Sequence, residues 1–177
     1  MEDRKVIVFI AMSLDGYIAK LNGDISFLSL VEQPGQDYGY SDFYETIDTV
    51  IMGRKTYDKV ISFGIPFPHA DKKTYVITRS FGETLENIVF YNGDINALIA
   101  KLKIENGKNI FVDGGAEIVN LLLQENQIDE LIISIIPILL GDGISLFKEA
   151  RSEMKLKMRN TNHFDSGLVQ IHYTCDI

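Results

Sequence analysis

Three places in the chain put small or hydroxylated residues directly after an apolar, β-branched run, two of them with a cation. Val50-Ile51-Met52 leads into Gly53-Arg54-Lys55-Thr56. Tyr75-Val76-Ile77 leads into Thr78-Arg79-Ser80. Ile110-Phe111-Val112-Asp113 leads into Gly114-Gly115-Ala116-Glu117-Ile118. In open α/β sheets ligands bind beyond the carboxyl ends of the strands. A helix that starts there offers free N–H groups and the positive end of its dipole to a phosphate, and small residues let the phosphate approach the backbone. The three ends together suit a dinucleotide. A tight strand–helix turn explains the glycine pair equally well. The common fingerprints are missing: Gly141-Asp142-Gly143 lacks the third glycine of G-x-G-x-x-G, and no G-x-x-x-x-G-K-[ST] occurs, which disfavours an ordinary Rossmann or P-loop protein.

Other reactive side chains give weaker signals. Asp15, in Ser13-Leu14-Asp15-Gly16, is a candidate site residue, although an aspartate in such a sequence more often caps a turn. Asp113 would repel a pyrophosphate, so it is expected to accept backbone N–H groups in its turn. His69, His163 and His172 have no metal-ligand spacing, and no metal site is expected. The lone Cys175 excludes an internal disulfide and reads as packing. Tyr38, Tyr40, Phe43 and Tyr44 form an aromatic cluster that serves equally well as a core face or as a stacking wall for a planar heterocycle.

The elements that must hold these groups follow from periodicity. Lys5–Met12 reads as a strand buried on both faces, and Ser13–Leu30 as a long loop with a turn at Asn22-Gly23-Asp24, of the length that functional lids have. Strands are expected at Asp48–Gly53, Lys73–Ser80, Asn87–Tyr91, Asn109–Gly115 and within Ile128–Leu140. Helices are expected at Arg54–Ile61, at Ile95–Asn106 with Asp94 as cap and Gly107 as terminator, and from Ala116 to Asn126 with Ile118, Leu121 and Leu122 on one face. Lys155–Phe164 and Leu168–Cys175 flank Asp165-Ser166-Gly167 and read as an antiparallel hairpin. Strand–helix alternation closed by a hairpin predicts an α/β fold, mainly parallel with an antiparallel edge.

The 177 residues favour one domain, 1–177. A net charge of −8 argues against nucleic acid or an anionic membrane as partner. The N-terminal apolar run leads straight into polar residues without a cleavage site, so it reads as a strand and not a signal peptide. Leu131–Leu140 is about half the length that spans a bilayer. A cytoplasmic location is expected.

Ala11–Ala19, Val50–Asp58, Tyr75–Ser80 and Phe111–Leu123, in that order, resemble the dihydrofolate reductase superfamily. Ser13–Gly16 and Ile128–Gly143 are similar to its riboflavin-biosynthesis branch, the RibD C-terminal domain. The resemblance covers nearly the whole chain and implies a three-layer α/β/α fold with NADPH as hydride donor. It implies that Gly53, Arg54, Lys55 and Thr56 hold the adenosine side, with Arg54 facing the 2′-phosphate. Thr78, Arg79 and Ser80 form a second adenosine-side loop. Gly114, Gly115, Ala116, Glu117 and Ile118 lie at the pyrophosphate and nicotinamide, across a glycine–glycine peptide that is often cis in the family. Ala11 lies near the nicotinamide under a lid, Ser13–Ala19.

The implied catalytic carboxylate falls at Asp37, sixteen residues before Gly53, with Asp42 and Glu45 as alternatives; water is a further proton source. The implied substrate is a small heterocycle, 5-amino-6-ribosylaminouracil phosphate above all, whose phosphate needs cations such as Lys20, Lys72 or Lys73. A dihydrofolate reductase and a non-catalytic NADP(H)-binding protein are the competing readings. A homodimer is expected, from that branch and from the apolar run Leu131–Leu140, although a fully buried strand explains the same run.

Overall fold

The computed structural model describes residues 4–80, 84–149 and 153–175. Its elements are β1 (Val6–Ser13), β2 (Tyr17–Ala19), α1 (Tyr40–Glu45), β3 (Ile47–Gly53), α2 (Arg54–Ser62), β4 (Lys73–Ile77), β5 (Ile88–Tyr91), α3 (Ile95–Ile104), β6 (Asn109–Gly114), α4 (Ala116–Gln124), β7 (Glu130–Ile136), β8 (Ile144–Ser145), β9 (Leu156–His163) and β10 (Val169–Cys175). One eight-stranded sheet has the order β5-β4-β3-β6-β1-β7-β10-β9. The first six of these strands run parallel, and β10 is antiparallel to both β7 and β9. The expected α/β fold and the C-terminal edge hairpin are both present.

Alternation along the strands decides which face meets which layer. Val6, Val8, Ile110, Val112, Leu131 and Ile133 face α3 and α4, where they pack with Leu98, Ile99, Leu102, Val119 and Leu122. Ile7, Val50, Met52 and Phe111 face the other way, onto Phe43 of α1 and Tyr57 of α2. These are the two outer layers. The central strands β1, β3 and β6 read as continuous apolar runs because both faces are covered.

Three expectations are corrected. The Ser13–Leu30 segment is not a plain loop: it contains β2, paired antiparallel with β8, and a 3-10 helix over Ser26–Val31 whose Phe27 and Val31 are buried. Gly107 does not end α3. The helix stops at Ile104 with Glu105 as C-cap, and Gly107 lies where a Cβ would strike Arg4 and Asp48, which form an ion pair. On α4, Ile118 and Leu122 are buried but Leu121 is 39% exposed. The strand expected within Ile128–Leu140 is β7, an interior strand between β1 and β10, and its burial accounts for the apolar run. Asp94 caps α3 as expected, accepting from the N–H groups of Asn96 (3.1 Å) and Ala97 (3.3 Å).

Candidate active site

The carboxyl ends of β3, β4 and β6 lie side by side, because β3 is paired with both others. The helices begin there, α2 directly after β3 and α4 after the single residue Gly115 beyond β6. Their N-caps are Gly53 and Gly115, and neither makes a side-chain cap bond. Two helix starts thus keep their first N–H groups uncapped by side chains and adjacent to each other. Glycine makes this approach possible. A Cβ on Gly53 would lie 3.2 Å from Ile118 Cγ1, and one on Gly115 would lie 3.1 Å from Thr56 Oγ1. Gly114 has φ +114° and the Gly114–Gly115 peptide is cis. The φ value is one that side chains other than glycine rarely adopt.

Cations border this cradle. The Arg54 guanidinium is 2.7 Å from Asp58 and stacks over Phe90 at 5.3 Å. Lys55 is almost fully exposed and stands 4.0 Å from Glu117. At the end of β4 the Thr78 hydroxyl accepts the Ser80 N–H at 3.2 Å, and Arg79 is exposed. The residues fit a phosphate-rich cofactor: a space that a Cβ would fill, paired helix starts and solvent-facing cations.

On the α1 face a cavity of about 730 Å³ opens beside this cradle. It is lined by Phe9, Ala11, Leu28, Val31, Glu32, Gln33, Pro34, Gln36, Asp37, Tyr38, Tyr40, Ser134, Ile136 and Leu168. Its floor is apolar except for one buried polar group. Ser134, 4% exposed, accepts a hydrogen bond from Gln170 Nε2 at 3.1 Å, and the same Nε2 donates to the Tyr38 carbonyl at 3.1 Å. The sequence signal for this pair is the lone serine within the apolar run Leu131–Ile136.

The candidate carboxylates are dispersed. Asp37 is on the cavity wall just before α1. Its oxygens accept from the Gly39 and Ser41 N–H groups, both at 3.0 Å, and the Ser41 contacts hold its carboxyl below the usual carboxylate range. Asp42 is exposed on α1 and does not line the cavity. Asp15 accepts from the Leu140 N–H at 3.1 Å and the Gly141 N–H at 2.7 Å, and its bond from the Ser13 hydroxyl lowers its pKa. It ties the lid to the loop after β7.

Asp113 does not accept turn N–H groups as expected. It faces the buried His69, Oδ2 to Nε2 3.6 Å, and His69 Nδ1 in turn meets the Tyr44 hydroxyl at 3.3 Å. His69 packs edge-on against Phe67 and Phe111, a structural position. The aromatic cluster divides: Phe43 is core, whereas Tyr38 and Tyr40 line the cavity. Burial, with Asp113 and Asp71 adding to it, pushes the Tyr40 phenol well above its ordinary value, so it stays protonated. No cluster of His, Cys, Asp and Glu able to hold a metal occurs among the described residues. No helix among them is long and apolar enough to cross a membrane.

The lysines expected at a substrate phosphate lie elsewhere. Lys20 pairs with Asp24 at 2.7 Å. Lys72 pairs with Asp71 at 3.3 Å and caps the Tyr44 ring. Lys73 is the first residue of β4, at the end of the sheet opposite the cradle.

Comparison with known proteins agrees with this architecture. The family description RibD C-terminal domain matches residues 66–170. The Bacillus subtilis (strain 168) protein YwjB is 48% identical over 97% of this chain and 98% of its own. A Shewanella sp. PV-4 protein assigned to riboflavin biosynthesis superposes with TM-score 0.88 at 33% identity, covering 98% of this chain and 99% of that one. The Thermotoga maritima deaminase/5-amino-6-(5-phosphoribosylamino)uracil reductase shares the fold, with TM-score 0.74 at 16% identity over 98% of this chain and 57% of that one. So does Enterococcus faecalis dihydrofolate reductase complexed with NADP(H), with TM-score 0.66 at 16% identity over 98% and 97%.

Proposed function

Since the chain belongs to the RibD C-terminal domain family, we propose that residues 1–177 act as a single NADPH-dependent reductase domain on a small heterocycle of the ribosylaminopyrimidine kind, in the cytoplasm and as a homodimer. The observation that carries this reading is the pair of uncapped helix starts at Gly53 and Gly115, bordered by Arg54, Lys55 and Arg79 and opening beside an apolar cavity. NADPH supplies a hydride when bound. Arg54 and Arg79 bind its adenosine-side phosphate, for which a guanidinium fork is well shaped. Thr56, Thr78 and Ser80 offer hydroxyls beside them. The N–H groups that follow Gly53 and Gly115 hold the pyrophosphate. Ala116, Glu117 and Ile118 set the start of α4, and Ala11 keeps the cavity floor small where the two compartments meet.

The chain's own residues then orient the heterocycle against the cofactor, and proximity supplies most of the rate. The proton that accompanies hydride transfer comes from water at the cavity mouth. Asp37 stays ionised because Ser41 and Gly39 stabilise its charge, and an ionised carboxylate is no acid. Asp42 lies outside the cavity, and Asp15 is held in the lid brace.

Dihydrofolate reduction is the second reading, favoured by the position of Asp37 on the cavity wall. NADPH consumption with a panel of ribosylaminouracils and with dihydrofolate separates the two. Turnover of a ribosylaminouracil, insensitive to antifolates, supports the first reading. Turnover of dihydrofolate, lost on Asp37→Asn, supports the second. NADPH binding without turnover of any member supports a protein that binds the nucleotide and does no chemistry.

A further inference from the structure

We infer that the cavity takes a planar heterocycle that carries no phosphate, so that phosphate and ring recognition are divided between two compartments of opposite charge. This deepens the reductase reading and rests on it. Three observations converge.

The first is the placement of charge. The cations at this end of the sheet, Arg54, Lys55 and Arg79, belong to the cradle of β3, β4 and β6. Among the described residues, the cavity lining contains no lysine, arginine or histidine and two carboxylates, Glu32 and Asp37. Asp37 is held ionised by its hydrogen bonds. A phosphate carries roughly −1.5 to −2 charges at neutral pH. At the mouth of the cavity two exposed carboxylates repel it without a compensating cation, most strongly at low salt.

The second is the position of the lysines nearest in the chain. Lys20 and Lys72 stand beside Asp24 and Asp71, and neither lines the cavity.

The third is a positive recognition element. Ser134 is buried at the floor, and its hydroxyl accepts from Gln170 while its own proton reaches no described acceptor. Gln170 is also buried. Both hydrogens of its amide are spent on Ser134 and the Tyr38 carbonyl, which uses the Ser134 oxygen as an acceptor and leaves its proton to donate. Ser134 itself lines the cavity, and a hydroxyl donor on an apolar floor matches a carbonyl or ring nitrogen at the edge of a pyrimidine or pterin ring. Phe9, Tyr40 and Leu28 supply the flat apolar walls.

The test uses the full chain saturated with NADPH and a matched pair of ligands, 5-amino-6-ribosylaminouracil and its 5′-phosphate, in calorimetric titrations at low salt. The nucleoside binds at least about tenfold tighter than its phosphate. Glu32→Lys, an exposed position, narrows that ratio severalfold by strengthening the phosphate form alone. Ser134→Ala weakens the nucleoside by about tenfold and leaves NADPH affinity unchanged. Equal or tighter binding of the phosphate form overturns the inference, as does a ratio indifferent to Glu32→Lys. If NADPH binds and neither ligand does, the cavity assignment falls and the cofactor site stands. If NADPH itself does not bind, the reductase reading falls and the inference with it.

Discussion

Arg54 occupies the first turn of α2 with its guanidinium shared between Asp58 and the face of Phe90. An exposed i,i+4 pair is worth under about 1 kcal/mol. Asp58 therefore orients the guanidinium without trapping it, and a doubly charged phosphate can displace the carboxylate. The opposite case is Glu130, buried at the start of β7. Burial pushes its carboxyl up, but the Lys5 ammonium at 2.7 Å and His172 at 2.8 Å outweigh that, and the net shift is downward. A carboxyl lowered in the folded state adds stability that is fully present above its unfolded pKa and is lost as pH falls through its folded pKa. Glu130→Gln is therefore expected to cost about 1–3 kcal/mol near pH 7. The difference from wild type should shrink below about pH 4.5, where the unfolded carboxyl takes up its proton. Urea denaturation at several pH values measures it; a difference that grows in acid contradicts the assignment.

At the scale of elements, α4 tests which helix face is buried. Leu122→Ala removes a side chain with no exposure and is expected to cost about 2–5 kcal/mol. Leu121→Ala, one residue away, costs under about 1 kcal/mol because Leu121 points outward. Equal losses in urea midpoints would mean the helix is rotated. The lid is held by a different device, the Asp15 carboxylate on the Leu140 and Gly141 N–H groups. Asp15→Ala should raise amide hydrogen exchange over residues 138–145 at least tenfold, with the β1 and β6 amides unchanged. Unchanged exchange at Gly141 would show that the brace carries no stability.

Strands β1, β3, β6 and β7 were legible because doubly covered strands are continuous apolar runs. The cap of α3 was legible because Asp94 precedes the first periodic residue. The β2–β8 pairing was not: it joins three residues to two across more than a hundred positions, and no local pattern encodes that. Nor was the role of Asp113 legible, since His69 reaches it from a turn-rich loop 44 positions earlier. The cradle glycines could be read from type and order. The Ser134–Gln170 floor could not, because β7 and β10 pair only in the folded sheet.

At the scale of the whole molecule, a chain of net charge −8 repels NADPH from a distance. Screening at physiological salt limits that repulsion to about 8 Å, so local cations decide. The sheet order puts Arg54, Lys55 and Arg79 on one side of the β3 end and the carboxylate-walled cavity toward β1 and β7. The same order leaves β9 as an outer edge whose eight residues are all exposed, Leu156 and Met158 among them. This is the edge through which the proposed homodimer would pair. Light scattering is expected to give twice the 20.0 kDa chain mass, and the chain mass for Met158→Glu; a wild-type monomer contradicts the pairing.

The central claim is that the β3, β4 and β6 ends hold NADPH through its extra phosphate. Fluorescence titration of wild type and Arg54→Ala with NADPH and with NADH tests it most directly. The expected result is that the substitution weakens NADPH by about tenfold or more, the worth of a charge-assisted hydrogen bond, and changes NADH by less than about twofold. Loss of both nucleotides in equal measure would contradict the phosphate role of Arg54. Binding of neither by folded wild-type protein would contradict the cofactor site itself.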